Sequence, residues 1–283
     1  MKYQLLLVCF LLSFKIFAQD AVICEKASQD IFESKIDEFY KKKYNELEGN
    51  DRILAIAKSF LNTTYVAQTL EIKPEDEVLT VNLIGIDCTT FLEYVLAMNL
   101  LLEDNQKSFE EFTDKLQIVR YRDGEIDGYP SRLHYFSEWL QNNEKKDLFT
   151  VISKDLGGQP MNKELNFMSS HRDSYPQLKS SDENVAKMRA IESEISPQNI
   201  YFIPQDEIQS IEENVNSGDL IAITTNLKGL DIVHVGFAYK QNNRLHLLHA
   251  STSTMSVVIS DKPLADMITK NKIQNGIIVS RVN

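Results

Sequence analysis

Cysteine is scarce, with three in 283 residues, too few for a disulfide scaffold. Positive charge is short as well: 30 Lys+Arg face 41 Asp+Glu, a net charge of −11. That balance excludes sequence-independent nucleic-acid binding, which needs a cationic face. Past the first 18 residues no apolar run approaches the roughly 20 residues that cross a bilayer, so no membrane contact is expected of the mature chain. Internal repeats, low-complexity tracts, H-E-x-x-H and C-x-x-C are all missing. What is there is an ordinary globular mixture, 43% hydrophobic and 25% charged, which suffices for a sizeable core.

The start reads as a secretory leader. Lys2 supplies the positive end, residues 5–12 are apolar without a break, and Phe14, Ile16 and Phe17 extend the run to a small residue, Ala18. Cleavage near Ala18 places the mature protein outside the cell or in the periplasm. Cys9 leaves with the leader, and Cys24 and Cys88 remain. Lipid attachment at Cys24 would want a small residue before it, and Ile23 stands there. A Cys24–Cys88 disulfide is the plain alternative for the pair in an oxidising compartment.

Apolar spacing predicts helices over 25–48, from 51 onward, over 88–103, near 108–118 and near 132–142. Residues 157–198 are polar, with Gly157-Gly158 and three prolines; they read as an insertion or long loop. From Asn199 the period becomes two, predicting strands near 200–203, 219–224, 233–239, 245–250, 256–259 and 276–282. Helices first and strands later predict an α+β domain with an antiparallel sheet. The organisation expected is a leader (1–18), an N-terminal helical segment (19–50) and one domain (51–283) with the insertion inside it.

Three residues carry the chemistry. Cys88 follows Asp87, a good N-cap, at the start of a strongly apolar helix. Free backbone N–H groups there favour an anion, so the thiol pKa is expected below its usual value, and the same groups can hold an oxyanion. A buried structural cysteine is the alternative. Asn242-Asn243 marks a hairpin whose paired positions sum to 485. Gly236 then faces His249 and His234 faces Ser251, so the two histidines share one sheet face as diagonal neighbours, about 7–8 Å apart. Val233, Val235 and Phe237 point into a core, and His246 is a bystander. Cys plus His plus an orienting group is the logic of an activated thiol, with His234 as base and His249 fixing its tautomer. Zinc on the same three residues would lack a fourth ligand, so no cofactor or metal is expected.

A second cluster is Arg120, Arg122 and Arg132, three of eight arginines in the chain. Tyr121 and Tyr129 lie between them. Guanidinium forks bind carboxylates bidentately, which makes Arg120, Arg122, Tyr129 and Arg132 substrate-binding candidates. Internal ion pairs with Asp123, Glu125 and Asp127 are the alternative. Ser131 could cap the following helix, turning His134 and Tyr135 toward a cleft.

Asp87-Cys88-Thr89-Thr90-Phe91, His234-Val235-Gly236 and Leu248-His249-Ala250-Ser251-Thr252-Ser253 together resemble the NlpC-type papain-like cell-wall hydrolases, nearest the N-acetylmuramoyl-L-alanine amidase-like branch. The likeness runs from about Arg52 to Val282. It implies a papain-like core with the cysteine helix packed on an antiparallel sheet, and amide hydrolysis in peptidoglycan fragments (muropeptides). By this resemblance Cys88 is the nucleophile, His234 the base and His249 the third member. Tyr65 matches an upstream tyrosine that assists near the oxyanion, with Asp87 beside it, and Ser251 falls on the substrate side. Tyr65 as a half-buried packing residue is the alternative. Arg120-Tyr121-Arg122 through Ser131-Arg132-Leu133-His134-Tyr135 resembles the amidase-like branch, favouring the bond from muramic acid to L-alanine. Cleavage after γ-D-glutamate, an acyltransferase using the same thiol, and a non-catalytic envelope-binding module are the competing readings. His171, in Asn166-Phe167-Met168-Ser169-Ser170-His171, is a further surface or substrate candidate.

Overall fold

The computed structural model describes residues 22–72, 76–269 and 271–282. The leader expected over 1–18 lies outside the described residues. Helices dominate the first two thirds: α1 (Lys26–Lys41), α2 (Gly49–Lys58), α3 (Cys88–Glu103), α4 (Phe109–Arg120), α5 (Phe136–Lys145), α6 (Phe167–Ser170), α7 (Pro176–Lys179) and α8 (Asp182–Ile195), followed later by α9 (Ile208–Ile211) and α10 (Leu264–Ile268). The strands are β1 (Ile23–Cys24), β2 (Thr64–Tyr65), β3 (Thr80–Val81), β4 (Gly85–Ile86), β5 (Thr150–Val151), β6 (Gln159–Pro160), β7 (Tyr201–Pro204), β8 (Leu220–Thr225), β9 (Ile232–Gln241), β10 (Arg244–Ser251), β11 (Ser256–Ile259) and β12 (Gln274–Arg281). The main sheet runs β4-β2-β11-β10-β9-β8-β12-β7-β6, with β5 beside β12, and β1 pairs with β3. The chain is thus a mixed α+β protein.

The β9–β10 hairpin turns on Asn242 and Asn243, both in the left-handed region (φ 53° and 60°), the conformation a two-residue turn with matching strand twist requires. Its register is the expected one, from Arg244 opposite Gln241 to Leu248 opposite Phe237. One face of the sheet buries Val235, Phe237, Leu248 and Ala250 under α3, where Phe91 meets Phe237 edge-on at 5.5 Å. The other buries Ile221, Ile223, Ala238 and Leu247 against α9 and α10. Val233 departs from expectation. Ile223 pairs with His234 while Thr224 pairs with Ile232, so Val233 is the extra residue of a bulge and packs toward the second core. A bulge re-aims the side chain beside it, and here that side chain is His234.

Two other expectations are corrected. Residues 157–198 are not a long loop: α6, α7 and α8 occupy much of them, and Leu165, Met168, Leu178, Val185, Met188 and Ile195 build a third core with Tyr129 and Tyr135. The helical spacing of Val185, Met188 and Ile195 was the signal available in the sequence. Ser131 caps no helix. Pro130 sets an early 3-10 turn over Tyr129–Ser131, in which the Ser131 hydroxyl donates to Gly128 O (2.7 Å) and accepts from Asp127 N–H (3.0 Å). Helix α5 starts four residues later than expected, at Phe136.

Helix α3 is apolar nearly all round and buried throughout its middle, which leaves its rotation poorly set by hydrophobicity alone. Two of its buried polar side chains, Glu93 and Asn99, set it. Glu93 accepts from Arg120 Nε (2.7 Å), and Arg120 Nη1 also donates to Thr80 O (2.7 Å). Asn99 accepts from Arg52 Nε (2.8 Å). Arg120 is 1% exposed; it is a frame residue, not a ligand for substrate. Replacing it leaves Glu93 buried without its partner. Arg120→Met is therefore expected to lower the unfolding free energy by about 3–5 kcal/mol, measured by urea denaturation. An intact stability with a raised KM would instead return Arg120 to the substrate.

Candidate active site

Cys88 is the first residue of α3. Asp87 caps the helix, its carboxylate accepting from Thr90 N–H (2.8 Å) while Asp87 N–H donates to Thr90 Oγ1 (2.9 Å), a complete capping box. The Cys88 thiol is held toward Val235 N–H, with the Thr89 hydroxyl also directed at it. That backbone N–H is available because the β9–β10 ladder ends at Phe237 and Leu248, two residues beyond it. The nucleophile candidate thus sits in the opening between the strands, against the peptide that follows His234. Val235 and Thr89 went unrecognised in the sequence; Thr89 was in plain view in the Asp-Cys-Thr-Thr run, whereas the Val235 contact depends on where the ladder stops.

His234 and His249 meet as the hairpin arithmetic requires. His234 Nε2 and His249 Nδ1 are 2.6 Å apart, with the rings perpendicular (85°) and their centroids 4.8 Å apart. Gly236 makes room for this: a Cβ there would lie 3.0 Å from His249 Cβ and 2.7 Å from Leu248 O. Among the described residues no hydrogen bond joins the thiol to either ring. When Nε2–H donates to His249 Nδ1, Nδ1 is the nitrogen of His234 left to receive a proton. It is also the ring nitrogen nearer the backbone, where the thiol lies.

Burial governs the charges. It pushes the Cys88 thiol up to about 11, aided by the Asp87 carboxylate and opposed by Val235 N–H, Thr89 and its own N–H. The lowered thiol pKa expected from the helix N-terminus is therefore overturned: desolvation outweighs the helix end. Burial also lowers His234 to about 3, with His249 adding to the effect, and His249 to about 4. Asp87 spends its carboxylate on the cap and, being negative, would oppose an oxyanion rather than hold one. Tyr65 lies at the end of β2, where it pairs with Ile86 just before Asp87. Burial, then the charges of Cys88 and Asp87, hold its phenol up at about 12, so the hydroxyl keeps its proton as a donor.

Ser251 and His249 line one side of a cavity of about 280 Å³, with Ser253, Thr254 and Lys262. A separate cavity of about 480 Å³ between α5, β5 and β7 shares none of the chemistry-bearing residues. His246 is held at Ser260 O (2.7 Å), and His171 stacks on Phe167 (4.2 Å). Cys24 and Cys88 are both free thiols, so the alternative disulfide is not formed. Among the described residues no group of three or more His, Cys, Asp or Glu side chains could hold a metal ion.

The remaining candidates around the arginine cluster face inward. Arg122 pairs with Glu138 and donates to Pro130 O (2.9 Å). Arg132 is 6% exposed, reaches Glu71 (2.6 Å) and Glu77 (3.4 Å), and lies over the Tyr129 ring. The His134 Nε2 contacts Tyr129 O (2.8 Å), and the Tyr135 hydroxyl donates to Glu192 (2.7 Å). Internal pairing thus absorbs these arginines. The partners come from distant segments and not from the neighbouring acids Glu125 and Asp127.

The two buried imidazoles imply an acid-dependent stability. An unfolded histidine titrates near 6.5, above the folded values of about 3 and about 4. The unfolded chain then binds more protons in that window, so this contribution is present above about pH 6.5 and is lost as pH falls toward 4. His249→Gln is expected to lessen the fall in unfolding free energy between about pH 7 and about pH 4.5 by about 2 kcal/mol. Urea midpoints across that range measure it, and an unchanged pH dependence would contradict a neutral buried pair.

Comparison with known proteins gives the family. The model of the N-acetylmuramoyl-L-alanine amidase-like family matches residues 55–277. An N-acetylmuramoyl-L-alanine amidase from Bacteroides uniformis is 40% identical, with a TM-score of 0.78, 82% of this chain and 98% of that chain being covered. A proposed xylanase from Bacteroides fragilis is 38% identical with a TM-score of 0.77, covering 81% of this chain and 100% of that one. A Legionella pneumophila protein at 22% identity and a TM-score of 0.66 (91% of this chain, 96% of that one) shares the fold. No curated protein matches. With its family model running through Cys88, His234 and His249, the chain belongs to the N-acetylmuramoyl-L-alanine amidase-like family.

Proposed function

We propose that this protein is a secreted or periplasmic cysteine amidase of the NlpC type, built on a papain-like core, that hydrolyses the amide between muramic acid and L-alanine in peptidoglycan fragments. The observation that carries this reading is the 2.6 Å contact between His234 and His249, with the thiol docked at the next peptide along β9. The apolar run before Ala18 supports export.

The residues would act in sequence. His234 Nδ1 takes the Cys88 proton as the sulfur attacks the lactyl carbonyl carbon. His234 Nε2–H then donates to His249 Nδ1, which supports the imidazolium as it forms. The carbonyl oxygen becomes an oxyanion near the first N–H groups of α3 and the Tyr65 hydroxyl. The tetrahedral species collapses, the alanine nitrogen leaves with the proton from His234, and a thioester remains. Water, deprotonated by His234, hydrolyses the thioester and restores the thiol. Each step draws on side chains and backbone N–H groups of this chain and on water.

The xylanase name of one relative suggests a different chemistry. Glycoside hydrolysis ordinarily needs two carboxyl groups about 5–9.5 Å apart across the scissile bond. Beside the thiol stands Asp87, whose carboxylate is committed to Thr90, which favours the amidase.

Mass spectrometry of defined muropeptides incubated with wild type and with Cys88→Ala tests the proposal. Wild type is expected to release free stem peptide, and Cys88→Ala to lose at least about 10³-fold in rate while keeping its Tm. Release of a diaminopimelate-containing dipeptide would move the bond to the γ-D-glutamyl position. A product joined to a new acyl acceptor would indicate acyl transfer. Binding without any cleavage would leave a non-catalytic module.

A further inference from the structure

The turn between β10 and β11 holds an oddity. Met255 has a φ of 55°, in the left-handed region that L side chains avoid and that glycine or asparagine occupy cheaply. Among the described residues, the other non-glycines with positive φ are all polar: Lys43, Asn62, Gln68, Asn105, Asp123, Asp147, Asn242 and Asn243. Met255 is also 55% exposed, more than any other large apolar side chain among the described residues. Backbone conformation and solvation both disfavour methionine at this position. An observed strain of this kind points to a use for the side chain.

Its place in the fold says what that use is. Tyr65 N–H donates to Met255 O at 3.0 Å, and Thr64 pairs with Ser256, so Met255, the last turn residue before β11, is held by its carbonyl against Tyr65 of β2. Tyr65 in turn pairs with Ile86, two residues before Cys88. The preceding residues of the same turn, Ser253 and Thr254, border the cavity that His249 lines. Met255 therefore lies on the rim between the Tyr65 side and the His249 side of the site. Its thioether chain is soft and adaptable, suited to a small apolar group on a bound ligand.

We infer that Met255 is a specificity-determining residue that packs on a methyl group beside the scissile amide. Resting on the amidase reading, the inference has two methyls to choose from, one on the lactyl ether and one on the L-alanine. Both offer the same chemistry, and the substrates of the test distinguish them.

The experiment measures kcat, KM and Tm for wild type, Met255→Gly and Met255→Leu. Three muropeptides are used: the parent, one with glycine replacing L-alanine, and one whose lactyl ether lacks its methyl. Met255→Gly is expected to raise KM for the parent about 5- to 10-fold, with kcat within about 2-fold. Its Tm should be unchanged or higher, because glycine relieves the backbone. The KM penalty should shrink below about 2-fold on the substrate lacking the contacted methyl, and Met255→Leu should stay within about 3-fold of wild type. A wild-type KM for Met255→Gly, or the same penalty on all three substrates, would overturn the inference and leave the amidase standing. Cleavage of none of the three by wild type would defeat the amidase reading itself.

Discussion

Everything at the site depends on where helix α3 stops turning and sliding. A helix buried on nearly every side gains about the same apolar contact in several rotations, so hydrophobicity alone places it poorly. A buried carboxylate cannot be so indifferent, because an unpaired one costs several kcal/mol. Glu93 must meet Arg120, and Asn99 must meet Arg52. Those contacts lock α3 to α4 and α2, and the capping box at Asp87 fixes its first turn. Cys88 is delivered to Val235 N–H as a consequence. The ion pair contributes mainly by penalising wrong positions, which is how a buried polar contact specifies a geometry that apolar packing leaves open.

The electrostatics of the thiol follow from a comparison of magnitudes. A helix N-terminus favours a negative charge by about 0.3–1 kcal/mol, up to about 2 in buried geometries. Burial lifts Cys88 from 9.0 to about 11 against that opposition, a net effect of roughly 3 kcal/mol. The larger effect wins, and the thiol stays protonated beside a neutral histidine. The same reasoning explains why the third member does not reverse the balance. Unlike a carboxylate, His249 brings no negative charge to hold an imidazolium, and in the proposed mechanism its contribution is an oriented lone pair at Nδ1. In the proposed mechanism the proton of Cys88 therefore moves as the sulfur attacks, when charge passes on to the oxyanion, and not in a resting ion pair.

Much of this could be read from the chain, and the failures have physical causes. The extent of α3 was legible because Asp87 and an unbroken apolar face mark it. The hairpin register was legible because two asparagines allow only a short turn, and register then follows by arithmetic to His234 and His249. Val233 was not, since a bulge arises from strand coiling and leaves no mark on alternation. The arginines misled for a related reason. Arg120 pairs with Glu93, 27 residues away, and Arg132 with Glu71, 61 residues away, and a linear reading looks for partners nearby. Helix α8 was missed because its polar face and the flanking glycines and prolines diluted a period that Val185, Met188 and Ile195 do carry.

A neutral thiol also resolves a tension in the proposed location. Thiolates, not thiols, undergo oxidation and disulfide exchange, and an extracytoplasmic enzyme with an activated thiolate would be exposed to both. Cys88 held up at about 11 presents little thiolate near neutral pH. Cys24, the other free thiol among the described residues, is also raised by burial, and it is tied into the β1–β3 pairing. The arrangement postpones reactivity until a carbonyl arrives to share the charge. On the proposed mechanism, the burial that overrides the helix N-terminus would protect the nucleophile between turnovers, at the cost of a lower resting nucleophilicity.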